Sequence, residues 1–205
     1  VLDLEALAAH RGSLLGDLPG VPQPTQKSFD SLLLQEMRRF DASRPVWIEA
    51  ESKKIGNLQL PECLFDCMHR SEVIHLEAPM PERVKLWRED YPHFADDPVG
   101  MVQKLMPLKP LVGGQLLLAW QGLAEQGETD ALFESVMQGH YDPCYLRSTR
   151  SNYRRTEAHR RFALQGLGPQ ALAEAARELA TLAPTVEGSQ ESGSPIDRSA
   201  GDAPP

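Results

Sequence analysis

The stretch "VWIEAESKKIGNLQLPE", Val46 to Glu62, decides how this chain is read. Val46, Trp47 and Ile48 form a compact apolar run, the pattern of a strand covered on both faces. Glu49 and Glu51 follow at once, then Lys53, Lys54 and Gly56. Charges crowded against the end of a buried strand are either a wet strand terminus or a site. The fold class bears on the choice, because open α/β sheets bind ligands beyond the carboxyl ends of their strands.

Two further runs share the pattern. Val1-Leu2-Asp3-Leu4-Glu5 reads as a strand meeting its end, and Val73 to Glu77, "VIHLE", also closes on a carboxylate. Asp3/Glu5, Glu49/Glu51 and Glu77 therefore gather at three strand ends. Helical segments separate the strands. Ala6 to His10 is a short turn, and Gly16 to Pro24 is a loop. Ser28 is placed to cap a helix whose inner face is Phe29, Leu32, Leu33, Met37 and Phe40. Pro61 opens a helix with Leu64, Phe65, Cys67 and Met68 on its apolar side. Pro81 opens another, lined by Val84, Trp87 and Tyr91.

From Asp97 the chain reads as helices. Asp97-Pro98 is a cap and first-turn proline, Gly127 stops Gln115–Glu125, and Gly139 closes Thr129–Gln138. "HYDPCYLRS" looks like a final short strand, and Gly168 to Leu182 is a C-terminal helix. The predicted fold is α/β, a parallel sheet with helices on both faces plus a helical C-terminal part, over residues 1–184. Residues 185–205 hold Glu187, Glu191, Asp197 and Asp202 against Arg198, with almost nothing to bury, and are expected to be a disordered acidic tail.

At 205 residues, with 41% hydrophobic and 24% charged side chains, the composition is that of an ordinary globular domain. No apolar run approaches the roughly 20 residues of a membrane span. Three cysteines do not make a disulfide framework, so a reducing cytoplasm is expected. A net charge of −8 argues against coating nucleic acid along the whole surface but leaves room for a local basic site. The opening at Val1, inside an apparent strand, predicts a fragment.

Several groups carry potential chemistry. Arg11-Gly12-Ser13 follows a strand end; it is either a tight turn with an arginine fork for phosphate or carboxylate, or an ordinary surface loop. Glu49 or Glu51 suits a base or a metal-held water, and Lys53 and Lys54 suit phosphate, unless the four simply pair in solvent. Arg83 and Arg88 lie on one helix beside a strand end, like lid arginines or like a solvated face. Cys63 and Cys67 with His69 lack zinc spacing and a second pair, so buried core thiols are the expectation and no metal is assigned.

"YLRSTRSNYRRTEAHRR", Tyr145 to Arg161, holds six arginines against one glutamate. Arg147, Arg150, Arg154, Arg155, Arg160 and Arg161, interleaved with Tyr145 and Tyr153, are what an RNA-binding edge needs: forks for phosphates and platforms for bases. No G-x-x-x-x-G-K-[ST] phosphate loop occurs anywhere in the chain.

"VLDLEALAAHRGSLLG", "VWIEAESKKIGNLQLPE", "LEAPMPERV" and "HYDPCYLRS" in this order resemble the tRNA 2-selenouridine synthase family. The resemblance runs from Val1 to about Leu182. It implies a P-loop-NTPase-like α/β domain, truncated at its N-terminus, that in the complete protein follows a rhodanese-like domain. It implies exchange of sulfur for selenium in the wobble 2-thiouridine of tRNA, with selenophosphate as donor and an S-geranyl intermediate made from geranyl diphosphate. Mg2+ and a selenophosphate-supplying enzyme would accompany it. The rhodanese-like domain's cysteine and the phosphate loop are missing here, so the chain alone is expected to be inactive.

From their place at the strand ends, Glu49 and Glu51 are the expected catalytic pair. Arg11, Gly12, Ser13, Lys53, Lys54, Arg83 and Arg88 are the expected diphosphate contacts, and Tyr145 to Arg161 the tRNA edge. The rival readings are a P-loop nucleotide kinase or NTPase, which needs no arginine-rich edge, and a non-catalytic tRNA-binding module.

Overall fold

The strand expected over Val1–Glu5 is a single residue of pairing. Leu2 forms a parallel bridge with Ile48 and donates its N–H to the Trp47 carbonyl at 2.7 Å. Asp3 then turns the chain: its carboxylate accepts from the Ala6 amide at 2.8 Å and starts helix α1, Leu4–Ala8. An aspartate cap satisfies an amide that the first helical turn leaves orphaned, and here it overrides the extended tendency of the apolar run. The computed structural model describes residues 1–50, 52–153 and 160–182.

Helix α2 spans Gln26–Met37. Its cap is Thr25 rather than Ser28, whose amide donates to the Thr25 hydroxyl at 3.3 Å. Phe29 and Leu33 are buried, while Leu32 and Met37 stay outside. The charged run after Glu51 is a hairpin: β1, Lys54–Ile55, pairs antiparallel with β2, Leu58–Gln59, around Gly56 at φ 57°. Gln23 locks this turn, donating to the carbonyls of Ala8 and Ile55 and accepting from the Asn57 amide at 2.7 Å. The positive φ favours glycine at 56, and a Cβ there would fall 2.2 Å from the Gln23 Oε1, pushing that side chain out of the turn it holds.

Helix α3, Glu62–Arg70, leads to β3, Ile74–Glu77. Helices α4 (Met80–Asp90), α5 (Pro92–Asp96), α6 (Pro98–Leu105), α7 (Lys109–Val112), α8 (Gly114–Glu125) and α9 (Thr129–Val136) follow. Asp97 caps α6 as the sequence predicts, accepting from the Gly100 amide at 2.8 Å.

Gly139 does not close α9. The backbone continues through a π turn, Met137–Tyr141, into α10, Asp142–Asn152. The glycine serves packing instead, since a Cβ there would lie 2.7 Å from the Leu116 side chain. "HYDPCYLRS" is accordingly helical rather than a strand, with Pro143 directly after the π turn. The last strand is β4, Arg160–Ala163, inside the arginine-rich segment, followed by α11, Pro169–Leu182. β4 runs parallel to β3, from Ile74 opposite Arg160 to Glu77 opposite Ala163.

The fold is therefore α/β with a small parallel sheet, as predicted, but the continuous sheet that was expected is not present among the described residues. Its two pieces are the Leu2–Ile48 bridge and the β3–β4 ladder. Two cores flank them. One joins α1, α2, α3 and the hairpin through Leu4, Phe29, Leu33, Ile55, Leu58 and Met68. The other fills the helical lobe around Met101, Leu105, Trp120, Leu132, Phe133 and Met137. Each such side chain contributes about 1.5–3 kcal/mol when fully buried.

Candidate functional site

Strand ends do meet carboxylates, but one of them has a structural task. The Glu49 Oε1 accepts from the amides of Leu4 at 2.5 Å and Glu5 at 2.9 Å. It thereby fastens the end of its own strand to the start of α1. Glu51, Arg154 and Arg155 lie outside the described residues, as does the side chain of Arg150.

The expected diphosphate contacts divide into two groups. Arg11, Arg83 and Arg88 converge on α4, and each meets an acid. Arg11 reaches the Asp90 carbonyl and its carboxylate, the latter at 3.2 Å, with its guanidinium 4.7 Å from the Tyr91 ring centroid. Arg83 forks onto Asp142 at 2.9 and 2.5 Å, tying α4 to α10. Arg88 donates to Asp130 at 2.5 Å, tying α4 to α9. Gly12, at φ 66°, donates its amide to the His10 ring, and the Ser13 hydroxyl accepts from the Leu15 amide. Lys53 and Lys54 belong to the hairpin region instead. Lys53 stands 3.4 Å from Glu62, while Lys54 is exposed and makes no ion pair among the described residues.

Between the two sheet pieces lies a cavity of about 310 Å³, walled by Trp47, Ile48, Ile74 and Leu76 and closed by Tyr145 and Tyr153. Tyr145 is 44% exposed, whereas Tyr153 is buried with its ring 5.2 Å from His69. The two tyrosines predicted as platforms thus share one cavity, and only Tyr145 presents a face outward. Of the arginines, Arg160 donates to the Leu182 carbonyl at 3.2 Å and Arg161 to Glu77 at 2.9 Å. Both are exposed on β4. Arg147 bonds the Pro143 carbonyl and the Cys144 sulfur.

Cys63 and Cys67 are exposed, not the core thiols that were expected. Leu64, Phe65 and Met68 form the inner stripe of α3, and residues spaced as 63 and 67 are fall outside it. Among the described residues no three His, Cys, Asp or Glu side chains gather to hold a metal. No helix among them is long and apolar enough to cross a membrane.

Reading "HYDPCYLRS" as a strand concealed a helical constellation. The π turn brings His140 over Cys144, with the imidazole Nδ1 3.5 Å from the sulfur and Arg147 3.3 Å away on the other side. Burial, then the nearby Arg147, hold the His140 pKa below its ordinary value, so the ring is neutral at pH 7. The four-residue spacing was visible in the sequence once the segment is taken as helical. Beside it the Tyr141 hydroxyl is buried and aimed at Ser13 and Leu15 without closing a well-formed bond, and its pKa is pushed up to about 12, mainly by burial. His140→Ala is expected to slow iodoacetamide alkylation of Cys144 about fivefold, by removing the group that accepts the thiol proton. Peptide mass spectrometry reads this directly, with Cys63 and Cys67 as internal controls. Equal slowing at all three thiols would dismiss the pairing.

Residues 1–102 match the family model described as the tRNA 2-selenouridine synthase AAA domain. The tRNA 2-selenouridine synthase of Nitrosomonas europaea is 38% identical over 113 residues, covering 54% of this chain and 29% of that protein. That of Marinobacter nauticus is 30% identical over 207 residues, covering 86% of this chain and 53% of that protein. That of Bdellovibrio bacteriovorus is 30% identical over 188 residues, covering 72% and 49%. The chain thus spans about half or less of the length of these curated relatives. No solved structure matches. With its ordered strand-end motifs and a match that continues into the helical part, the chain belongs to the tRNA 2-selenouridine synthase family.

Proposed function

We propose that this chain is part of a cytoplasmic tRNA-modifying enzyme that converts wobble 2-thiouridine to 2-selenouridine. The observation that carries the reading is the family match over residues 1–102, extended by a relative aligned to 86% of the chain. In this reading geranyl diphosphate alkylates the thiouridine sulfur, releasing diphosphate. The selenium of selenophosphate then bonds to C2 and expels geranylthiol, a far better leaving group than the parent sulfur, and water cleaves the selenium–phosphorus bond to release phosphate. The rhodanese-like domain and a selenophosphate-supplying enzyme act with the complete protein.

Lys53 and Lys54 hold the diphosphate in this scheme. Lys54 is the side chain best placed to do so, being exposed and, among the described residues, outside any ion pair. Arg11, Arg83 and Arg88 can join it only by exchanging Asp90, Asp142 and Asp130 for phosphate. Glu49 and Glu51 flank the strand end, with the Arg11–Ser13 loop beside α1. Tyr145, Arg147, Arg150 and the arginines to Arg161 make the tRNA edge, and Tyr153, buried against His69, supports it from behind.

The test is a chimera in which the Marinobacter nauticus enzyme supplies the polypeptide beyond residues 1–205. It is incubated with thiolated tRNA, geranyl diphosphate and selenophosphate, and nucleosides are read by mass spectrometry. Geranylated and selenated uridine are the expected products. Lys53→Ala with Lys54→Ala is expected to lower geranylation about tenfold, through removal of one to two charge-assisted hydrogen bonds. Unchanged turnover dismisses the lysine roles; a folded chimera that binds tRNA but yields neither product favours a binding module.

A further inference from the structure

The two ends of the strands hold their arginines differently. Beyond the carboxyl end of β3, Arg83 and Arg88 on α4 and Arg11 beside it are each held by an aspartate. At the amino ends the arginines have no acid. Arg44 stands three residues before Trp47, Arg70 closes α3 four residues before Ile74, and Arg160 opens β4 opposite Ile74. All three are exposed. Among the described residues Arg44 and Arg70 make no hydrogen bond or ion pair, and Arg160 bonds only to the neutral Leu182 carbonyl. The chain has 29 acidic residues to 21 basic ones, so these cations are not left alone for want of partners.

The packing gathers them at one end. Residues 46–50 lead through α3 into β3, and a strand–helix–strand connection of this kind sets the two strands parallel, with their amino ends together. Trp47 accordingly shares a cavity wall with Ser71 and Glu72. Tyr153, where α10 ends, packs on His69 beside Arg70, and the β3–β4 ladder sets Arg160 against Ile74. The local acids do not answer the arginines. Asp41 accepts from the Ser43 amide and hydroxyl at 2.9 and 2.7 Å, and Glu36 pairs with Arg39 at 2.5 Å. Asp66 and Glu72 make no ion pair among the described residues.

We propose that Arg44 and Arg70 continue the RNA-binding edge from Arg160 across the amino ends of the strands, contacting backbone phosphates of the tRNA on the side away from the candidate reacting end. This role rests on the tRNA reading above and names the face that the RNA occupies. The row crosses β4, β3 and the strand at Trp47, with the cavity between the last two. At about 4.8 Å per strand it exceeds about 10 Å, too long for one phosphate group and suited to a chain of them. Guanidiniums without a partner can take phosphate at no cost in broken ion pairs, whereas Arg11, Arg83 and Arg88 must each release an aspartate. Phosphate contacts fix position rather than read bases, so this face holds the RNA on which the opposite end acts.

The test measures tRNA binding by the 205-residue chain through fluorescence anisotropy across a salt series. Arg44→Ala with Arg70→Ala is expected to weaken binding about tenfold near physiological salt. It should also flatten the slope of log K against log salt by about 1.4, two phosphates at about 0.7 each. Lys85→Ala with Lys109→Ala removes the same charge from exposed positions on α4 and α7 and is expected to change neither. Both pairs should leave thermal unfolding unchanged, since neither holds a partner in the fold. Equal effects of the two double variants, or no effect of either, overturn the proposal and leave the tRNA reading in place. Failure of the unsubstituted chain to bind tRNA overturns both. Binding of poly-glutamate that the arginine variant loses, with its tRNA binding intact, also overturns the proposal and makes the face a seat for an acidic protein segment.

Discussion

Replacing Arg154, Arg155, Arg160 and Arg161 together by alanine is expected to weaken tRNA binding at least about 100-fold near physiological salt. Each phosphate left without its arginine should also flatten the dependence of log K on log salt, by about 0.7 on single-stranded RNA, so roughly three units for the set. Arg160 and Arg161 can serve this way. The Arg161–Glu77 pair is solvent-exposed, with side-chain exposures of 77% and 44%, and such pairs contribute about 0–1 kcal/mol. The fold should therefore survive the substitutions, which thermal unfolding checks. Fluorescence anisotropy across a salt series distinguishes the readings. An unchanged slope with unchanged affinity would remove the RNA edge and return the nucleotide-kinase alternative, which has no need of these arginines.

Glu49→Ala is expected to destabilise the protein by about 2 kcal/mol, because it strands two amides that one carboxylate oxygen now satisfies. For a domain of this size that is a fall in Tm of roughly 4–8 °C. Glu49→Gln retains a carbonyl acceptor, so its cost should stay below about 1 kcal/mol. The pair of variants separates two jobs. If Glu49 is only the fastening of α1, the glutamine variant keeps both stability and turnover in the chimera. If it also moves a proton or holds a metal, the glutamine variant keeps the fold and loses turnover. A glutamine variant as unstable as alanine would show that the cap depends on charge, and the helix-start argument would need the α1 dipole as well.

Helix signals carried by local chemistry were legible. Pro81, Asp97-Pro98, Gly127 and the start of α11 after Gly168 sit where capping and breaking rules put them, because such signals act over one turn of chain. The parallel character of the strands was also legible, from apolar runs too uniform for a one-sided sheet. The misreadings have specific causes. The Val1–Glu5 run looked extended, but the Asp3 cap and the distant Glu49 carboxylate convert it to helix. "HYDPCYLRS" looked alternating, yet its aromatics serve a helix that a π turn lets continue past Gly139.

In the site, the sequence could name the residue types but not their partners. Arg11, Arg83 and Arg88 are spaced like phosphate contacts, and only the packing of α4 against α9, α10 and the loop after α1 shows that each already holds an acid. Composition and periodicity report what a side chain can do within about four residues of its neighbours. Asp90, Asp130 and Asp142 lie 79, 42 and 59 positions from the arginines they meet. The class of fold, the helical half and the basic segment were therefore written locally in these 205 residues. The commitment of each arginine, the capping role of Glu49, and the cavity between the two sheet pieces came only from contacts between distant segments, which no local pattern encodes.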